Sequence, residues 1–264
     1  MARRFGTRRA LLESQAVWTP RQLSGLTAWY DSQEITTLFQ NSALTTPAGN
    51  GDVIGGWVDK SGNGYAVTQG TTANKPTMTV NSINGIAAPV FDGGDYLTNG
   101  PLGALFSGSD VPFTVAAVFK QNSVAASQYM WAFGNSGNDL PFHASRLYQT
   151  GSLKYMSYRS DNTGATATPS GGTNDISPHV GYLVFTGTTV SIVIDGTAVV
   201  SGAASDVGAL TVNQFAMGGL LRTSFSLGFN GPIGELVVIN RAITSVEAGQ
   251  LNRYMGSQWG ISVS

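Results

Sequence analysis

From Leu23 onward, apolar positions come in short runs of β-branched and aromatic residues, separated by clusters of Gly, Asn, Ser, Thr and Pro. Val111 to Phe119 is one such run and Tyr182 to Thr186 another. Val190 to Ile194, Asp195-Gly196 and Thr197 to Val200 spell a β-hairpin, because Asp-Gly supplies the positive φ angles of a tight type I′ turn. Ile233 to Ile239 is a nearly continuous apolar strand interrupted only by Glu235. One helical pattern stands out, and it is the last. Thr244-Ser-Val-Glu247 has capping-box form, and Ala248, Leu251 and Met255 then recur at helical spacing until Gly256 and Gly260 end the pattern. Residues 160–175 are polar and Gly-rich and predict a long loop. Many strands and one helix, with no internal repeat, predict an all-β sandwich or barrel.

Composition narrows the function classes. The chain has 264 residues, 42% hydrophobic and 11% charged, with 34 Gly and no Cys. That is too apolar for a disordered chain, yet no run of about 18 apolar residues exists to span a bilayer. No membrane partner is expected. Without cysteine there is no disulfide framework, thiol nucleophile or thiolate-bound metal. Two histidines, His143 and His179, are too few for a His-rich metal site and are expected in surface or loop positions.

Charge sets the first residues apart. Residues 1–25 carry Arg3, Arg4, Arg8, Arg9 and Arg21 against Glu13, a net of +4, which leaves the rest at -5 because the total is -1. No apolar h-region follows the arginines, so the segment does not read as a secretory signal. It reads as a basic arm over residues 1–22, in front of a mildly acidic body over 23–264. Arg3, Arg4, Arg8 and Arg9 interleave with Phe5, Leu11, Leu12 and Trp18, a set suited to partner binding through carboxylate pairing and buried apolar anchors. Phosphate neutralisation is a further use of such arginines. The acidic body argues against nucleic acid as the main partner.

Three segments carry a resemblance. Leu26-Thr-Ala-Trp29-Tyr-Asp31, then Val53-Ile-Gly-Gly-Trp57-Val-Asp59-Lys-Ser-Gly-Asn-Gly64, then Phe91-Asp-Gly-Gly-Asp-Tyr-Leu97 resemble the LamG-like, concanavalin A-like jelly-roll domains of bacterial surface proteins and bacteriophage virion proteins. Gly231 to Thr244, continuing through Tyr254 to Ile261, is similar to the closing strand and helix of that family. The resemblance implies an all-β jelly-roll sandwich with a C-terminal helix behind the basic arm. For function it implies a non-enzymatic virion structural protein, such as a capsid decoration, head-fibre or tail-associated component. That protein would attach through its arm to a major capsid or tail protein, in several copies on the bacteriophage particle. The alternative is a carbohydrate-binding or adhesion module, bacterial cell-surface or extracellular, taking host-surface or environmental glycans.

The candidate sites follow from these readings. Trp131, Tyr148, Tyr155 and Tyr158 are the aromatics offered for stacking on sugar rings. No cofactor is expected, with calcium as the one candidate through oxygen ligands from Asp59, Asn63, Asp92 and Asp95, although these residues also suit turns. No catalytic residue is assigned. A sandwich-fold glycosidase needs two carboxylates roughly 5 to 10 Å apart. The chain has only Glu13, Glu34, Glu235 and Glu247 as glutamates, and Glu235 shares its strand face with Val237 and Ile239.

Overall fold

The computed structural model describes residues 18–124, 127–150, 153–162, 165–172 and 175–264, with backbone alone at 149–150, 153–157, 159–161 and 165. Two antiparallel sheets face each other. The eight-stranded sheet runs in the order Thr197–Ala204, Thr189–Ile194, Pro178–Phe185, Phe113–Lys120, Asn230–Ile239, Ile86–Asp92, Thr77–Ile83, and Leu26–Asp31 also pairs with Asn230–Ile239. The ten-stranded sheet is centred on Phe142–Thr150, Ser127–Gly134 and Gln214–Met217. The first and last long strands lie side by side, as in a sandwich that closes its ends on each other. The chain is an all-β, concanavalin A-like jelly-roll sandwich with a C-terminal helix.

Strand alternation builds two cores from one sheet. Ala28, Tyr30, Val115, Ala117, Phe119, Leu236 and Val238 point into the space between the sheets. Their neighbours Trp29, Ala116, Val118, Val237 and Ile239 point outward, which is why those strands read as continuous apolar runs. The outer face is covered by the helix Ser245–Trp259 through Ala248, Leu251, Met255 and Trp259.

Local signals explain the elements. The Asp195-Gly196 turn has φ of 50° and 84°, both positive as a type I′ turn requires. Thr244 and Glu247 form the reciprocal capping box, and Gly260 ends the helix in the left-handed region with φ 62°. Gly256, by contrast, lies within the helix. A Cβ there would approach Ile261 O at 2.8 Å, so glycine is needed for the returning tail to pack rather than for termination.

The 160–175 segment differs from its loop expectation. The strand Leu153–Asn162 reaches into its start, and Ala165–Ala167 and Ser170–Gly171 both pair back onto that strand. Edge strands need few apolar residues, so the polar composition hid them.

Candidate functional site

The body packs from Trp18, ahead of the boundary at residue 23. Trp18 lies edge-to-face against Tyr254 with centroids 5.9 Å apart. It is half-buried, with one contact on the protein's own helix. Arg3, Arg4, Phe5, Arg8, Arg9, Leu11 and Leu12 lie outside the described residues.

The four aromatics offered for sugar stacking divide by face. Trp131 is 1% exposed and Tyr158 0%, both inside the inter-sheet core, so neither can meet a ligand. Tyr148 is on the other face. Phe142 and Ala144, three and two alternations along the same strand, belong to a separate outer cluster with Tyr129, Ala132 and Leu220, and Arg146 and Tyr148 continue that outward row. The Arg146 guanidinium lies 3.8 Å from the Tyr148 ring centroid and donates through Nε and Nη2 to Ser127 Oγ at 3.2 and 3.0 Å. A planar cation held flat on an aromatic ring makes a rigid, half-buried platform. Tyr155 sits directly opposite Tyr148 in the sheet register.

The histidine expectation is corrected. His143 lies in the strand Phe142–Thr150, 3% exposed, with Nδ1 hydrogen-bonded to the Tyr158 hydroxyl and its ring stacked on Tyr158 at 5.6 Å. Burial pushes its pKa down to about 3, so it serves as a neutral flat core residue beside Phe113 and Phe185. His179, in the strand Pro178–Phe185, is half-buried, with Nδ1 2.7 Å from Asp195 Oδ2 and Nε2 3.1 Å from Asp175 Oδ1. The two carboxylates hold it charged above the ordinary imidazole range, against the opposing effect of burial.

The oxygen-rich loops do not fit calcium. Asp59 accepts hydrogen bonds from Trp29 N, Ser61 N, Ser61 Oγ and Tyr65 N, so both its oxygens are engaged in fixing the loop. The Asn63 amide donates to the carbonyls of Leu26 and Thr27. Asp92 Oδ1 accepts from Gly94 N, and Asp95 Oδ2 from Asp92 N. Asp95 is pushed up to about 6 by burial, with the Asp92 charge adding to it. Among the described residues no three His, Asp or Glu side chains gather as a metal site.

Glu235 has a neighbour that its own strand did not reveal. Asp31 lies directly opposite it on the adjacent strand. The geometry is nevertheless closed to substrate. Glu235 is 0% exposed beneath the helix and accepts from Trp29 Nε1 at 2.7 Å and Trp259 Nε1 at 2.9 Å. Asp31 is ion-paired to Lys60 at 2.6 Å, and Lys60 in turn lies 4.2 Å from the Trp29 ring centroid. Burial, with the Asp31 charge adding to it, raises Glu235 to about 8. This carboxylate pair fastens the first strand, the last strand and the helix together.

Searches by sequence found no matching family model and no matching curated protein. Solved structures do match. A Trypanosoma rangeli sialidase in complex with 2,3-difluoro-KDN shares 14% identity over 89% of this chain with a TM-score of 0.57. The same sialidase with the inhibitor DANA gives 15%, 87% and 0.52. This chain spans only 33% of that sialidase, and the likeness shows the fold alone. The CBM40 of a Ruminococcus gnavus IT-sialidase is similar at 17% identity over 59% of this chain and 86% of its own, with a TM-score of 0.46.

Proposed function

We propose that the protein is a non-catalytic, lectin-like module that binds glycans on the open face of its ten-stranded sheet, at a cell surface or outside the cell. The observation that carries this reading is the Arg146–Tyr148 stack, anchored on Ser127 and standing outward from a rigid strand. Such a platform offers a flat π surface for the C–H face of a pyranose and peripheral donors for its hydroxyls, with little ordering cost on binding. The lectin-type sandwich fold supports it. The non-catalytic part rests on Glu235, enclosed by two indoles and a helix where no substrate reaches it. Residues 1–17 of the basic arm lie outside the described residues, so the reading rests on the sandwich alone. No described helix is long and apolar enough to cross a membrane.

A glycan array with the purified full-length chain, followed by calorimetry on the best hit, tests the proposal. Tyr148→Ala should weaken binding by about tenfold or more, the equivalent of ~1.4 kcal/mol, with the melting temperature preserved. Absence of any binding glycan at millimolar concentration, or unchanged affinity in Tyr148→Ala, would overturn it.

A further inference from the structure

On the opposite side of the sandwich, where the C-terminal helix covers the eight-stranded sheet, Trp18, Gln250, Arg253, Tyr254 and Ser257 line an open cleft of about 450 Å³. That volume lies in the range of small-ligand sites. Gln250, Arg253, Tyr254 and Ser257 follow helical spacing on one face, while Ala248, Leu251, Met255 and Trp259 on the other hold the helix to the sheet. The lining is thus presented by a firmly anchored element.

Two features say what the cleft would take. The first is charge. Arg21 donates to Ser61 O, Arg146 to Ser127 Oγ, Arg222 to Asp139 O, and Arg241 is ion-paired to Glu247. Arg253 alone, of the arginines whose side chains are described, has no hydrogen bond or ion pair among the described residues, and none of the described residues that line the cleft carries a carboxylate. A guanidinium without a partner is a fork for an oxyanion. The second feature is shape. The rings of Trp18 and Tyr254 meet at 63°, forming a corner rather than a parallel slot. A corner accepts the thick profile of a pyranose chair, with one C–H face against a ring, whereas a flat aromatic ligand is better held between parallel faces. The Gln250 amide, which makes no hydrogen bond among the described residues, supplies both donor and acceptor for hydroxyls. Burial and the nearby carboxylates of Glu235 and Asp31 keep the Tyr254 phenol protonated at any physiological pH.

We propose that this cleft is a second saccharide site, selective for sugars bearing a carboxylate or sulfate, with Arg253 binding the oxyanion and the Trp18–Tyr254 corner receiving the ring. It stands on different residues and a different face from the Tyr148 platform, and goes beyond that reading without depending on it. A protein with sites on both faces would bridge two glycan chains.

Calorimetry on the full-length chain is the test. The probes are glucuronate, galacturonate, sialic acid and sulfated galactose as short glycosides, their neutral counterparts, and inorganic sulfate alone. At least one acidic glycoside should bind more tightly than its neutral counterpart and than sulfate. Arg253→Gln should weaken that binding at least tenfold, Arg253→Lys less, and Tyr148→Ala not at all. Arg253 is exposed, so both of its variants should fold with the wild-type melting temperature. The proposal is overturned if no acidic glycoside binds, if neutral and acidic forms bind equally, if sulfate alone binds as well, or if Arg253→Gln retains wild-type affinity. Loss of all binding in Tyr148→Ala with none lost in Arg253→Gln would sink this site and leave the sheet-face reading standing. The reverse pattern would do the opposite.

Discussion

The two outer faces of the sandwich are built from strands of similar composition and end in opposite states. On the eight-stranded sheet, outward Trp29, Val118 and Val237 are too apolar to face water, and the helix covers them. Glu235, an outward acid of that face, is sealed in the same act, and its oxygens are occupied by two indole N–H groups. On the ten-stranded sheet, the hairpin residue Leu220 covers only the part of the face around Tyr129, Ala132, Phe142 and Ala144. Beyond it Arg146 and Tyr148 remain half-buried and outward. The difference teaches that aromatic and charged residues in this fold declare their role by what lies over them. Glu235 and Trp29 are as polar or aromatic as Arg146 and Tyr148, yet the first pair fastens the fold and the second stays half-buried on an outer face.

The largest effect that would break this contrast is removal of its lid. Trp259→Ala empties a fully buried site and leaves Glu235 with one donor fewer, so it should cost about 3–5 kcal/mol in denaturant unfolding. A loss below ~1 kcal/mol would show that the helix does not seal this face.

Next in size is the pH dependence. Glu235 has a folded pKa of about 8 against an ordinary 4.5, so the folded state binds the extra proton. Stability should therefore fall as pH rises from about 4.5 to about 8 and then level off. Asp95, raised to about 6, adds a part of the same sign. His143 works from the other side. With its folded pKa lowered from 6.5 to about 3, stability should fall as pH drops through that window. Glu235→Gln should flatten the alkaline limb and leave the acid limb intact. It should also cost about 1–3 kcal/mol at pH 5, because an amide nitrogen cannot accept the second indole. An alkaline limb that survives in Glu235→Gln would place its origin elsewhere.

A smaller effect probes the helix end. Gly260 sits at φ 62°, and a Cβ there would meet Asn84 only at ordinary contact distance, 3.8 and 3.9 Å, so Gly260→Ala introduces mainly backbone strain and should lower stability by about 1 kcal/mol. Smallest is Tyr148→Ala, which should stay within about 0.5 kcal/mol of wild type because the ring belongs to neither core. A larger loss would mean that the open face also holds the fold.

How far the sequence revealed this depends on the range of the interaction. The Asp195-Gly196 hairpin and the Thr244–Glu247 capping box were legible because each lies within a few residues, with backbone conformation fixed by residue chemistry. Strand parity also carried information. Trp131 and Phe133, two residues apart in one strand, share a face and spell an inward pair. The Asp31–Glu235 pair could not be read from Glu235's own strand, since its partner lies about 200 residues earlier and meets it only through sheet register. His143 misled because a neutral imidazole under burial behaves as a core aromatic, which residue type alone does not declare. The same holds for Trp18. Its place among arm arginines suggested a partner's pocket, and its contact with Tyr254 of the C-terminal helix could not be read from the arm alone.

The central claim is that a glycan meets the open face at Tyr148 while the covered face stays closed. Hydroxyl-radical footprinting with and without a saturating glycan from the array reads both at once. Tyr148 should be oxidised in the free protein and protected in the complex, with Trp259 unlabelled in either state. Tyr148 labelling that is unchanged by the bound glycan would contradict it.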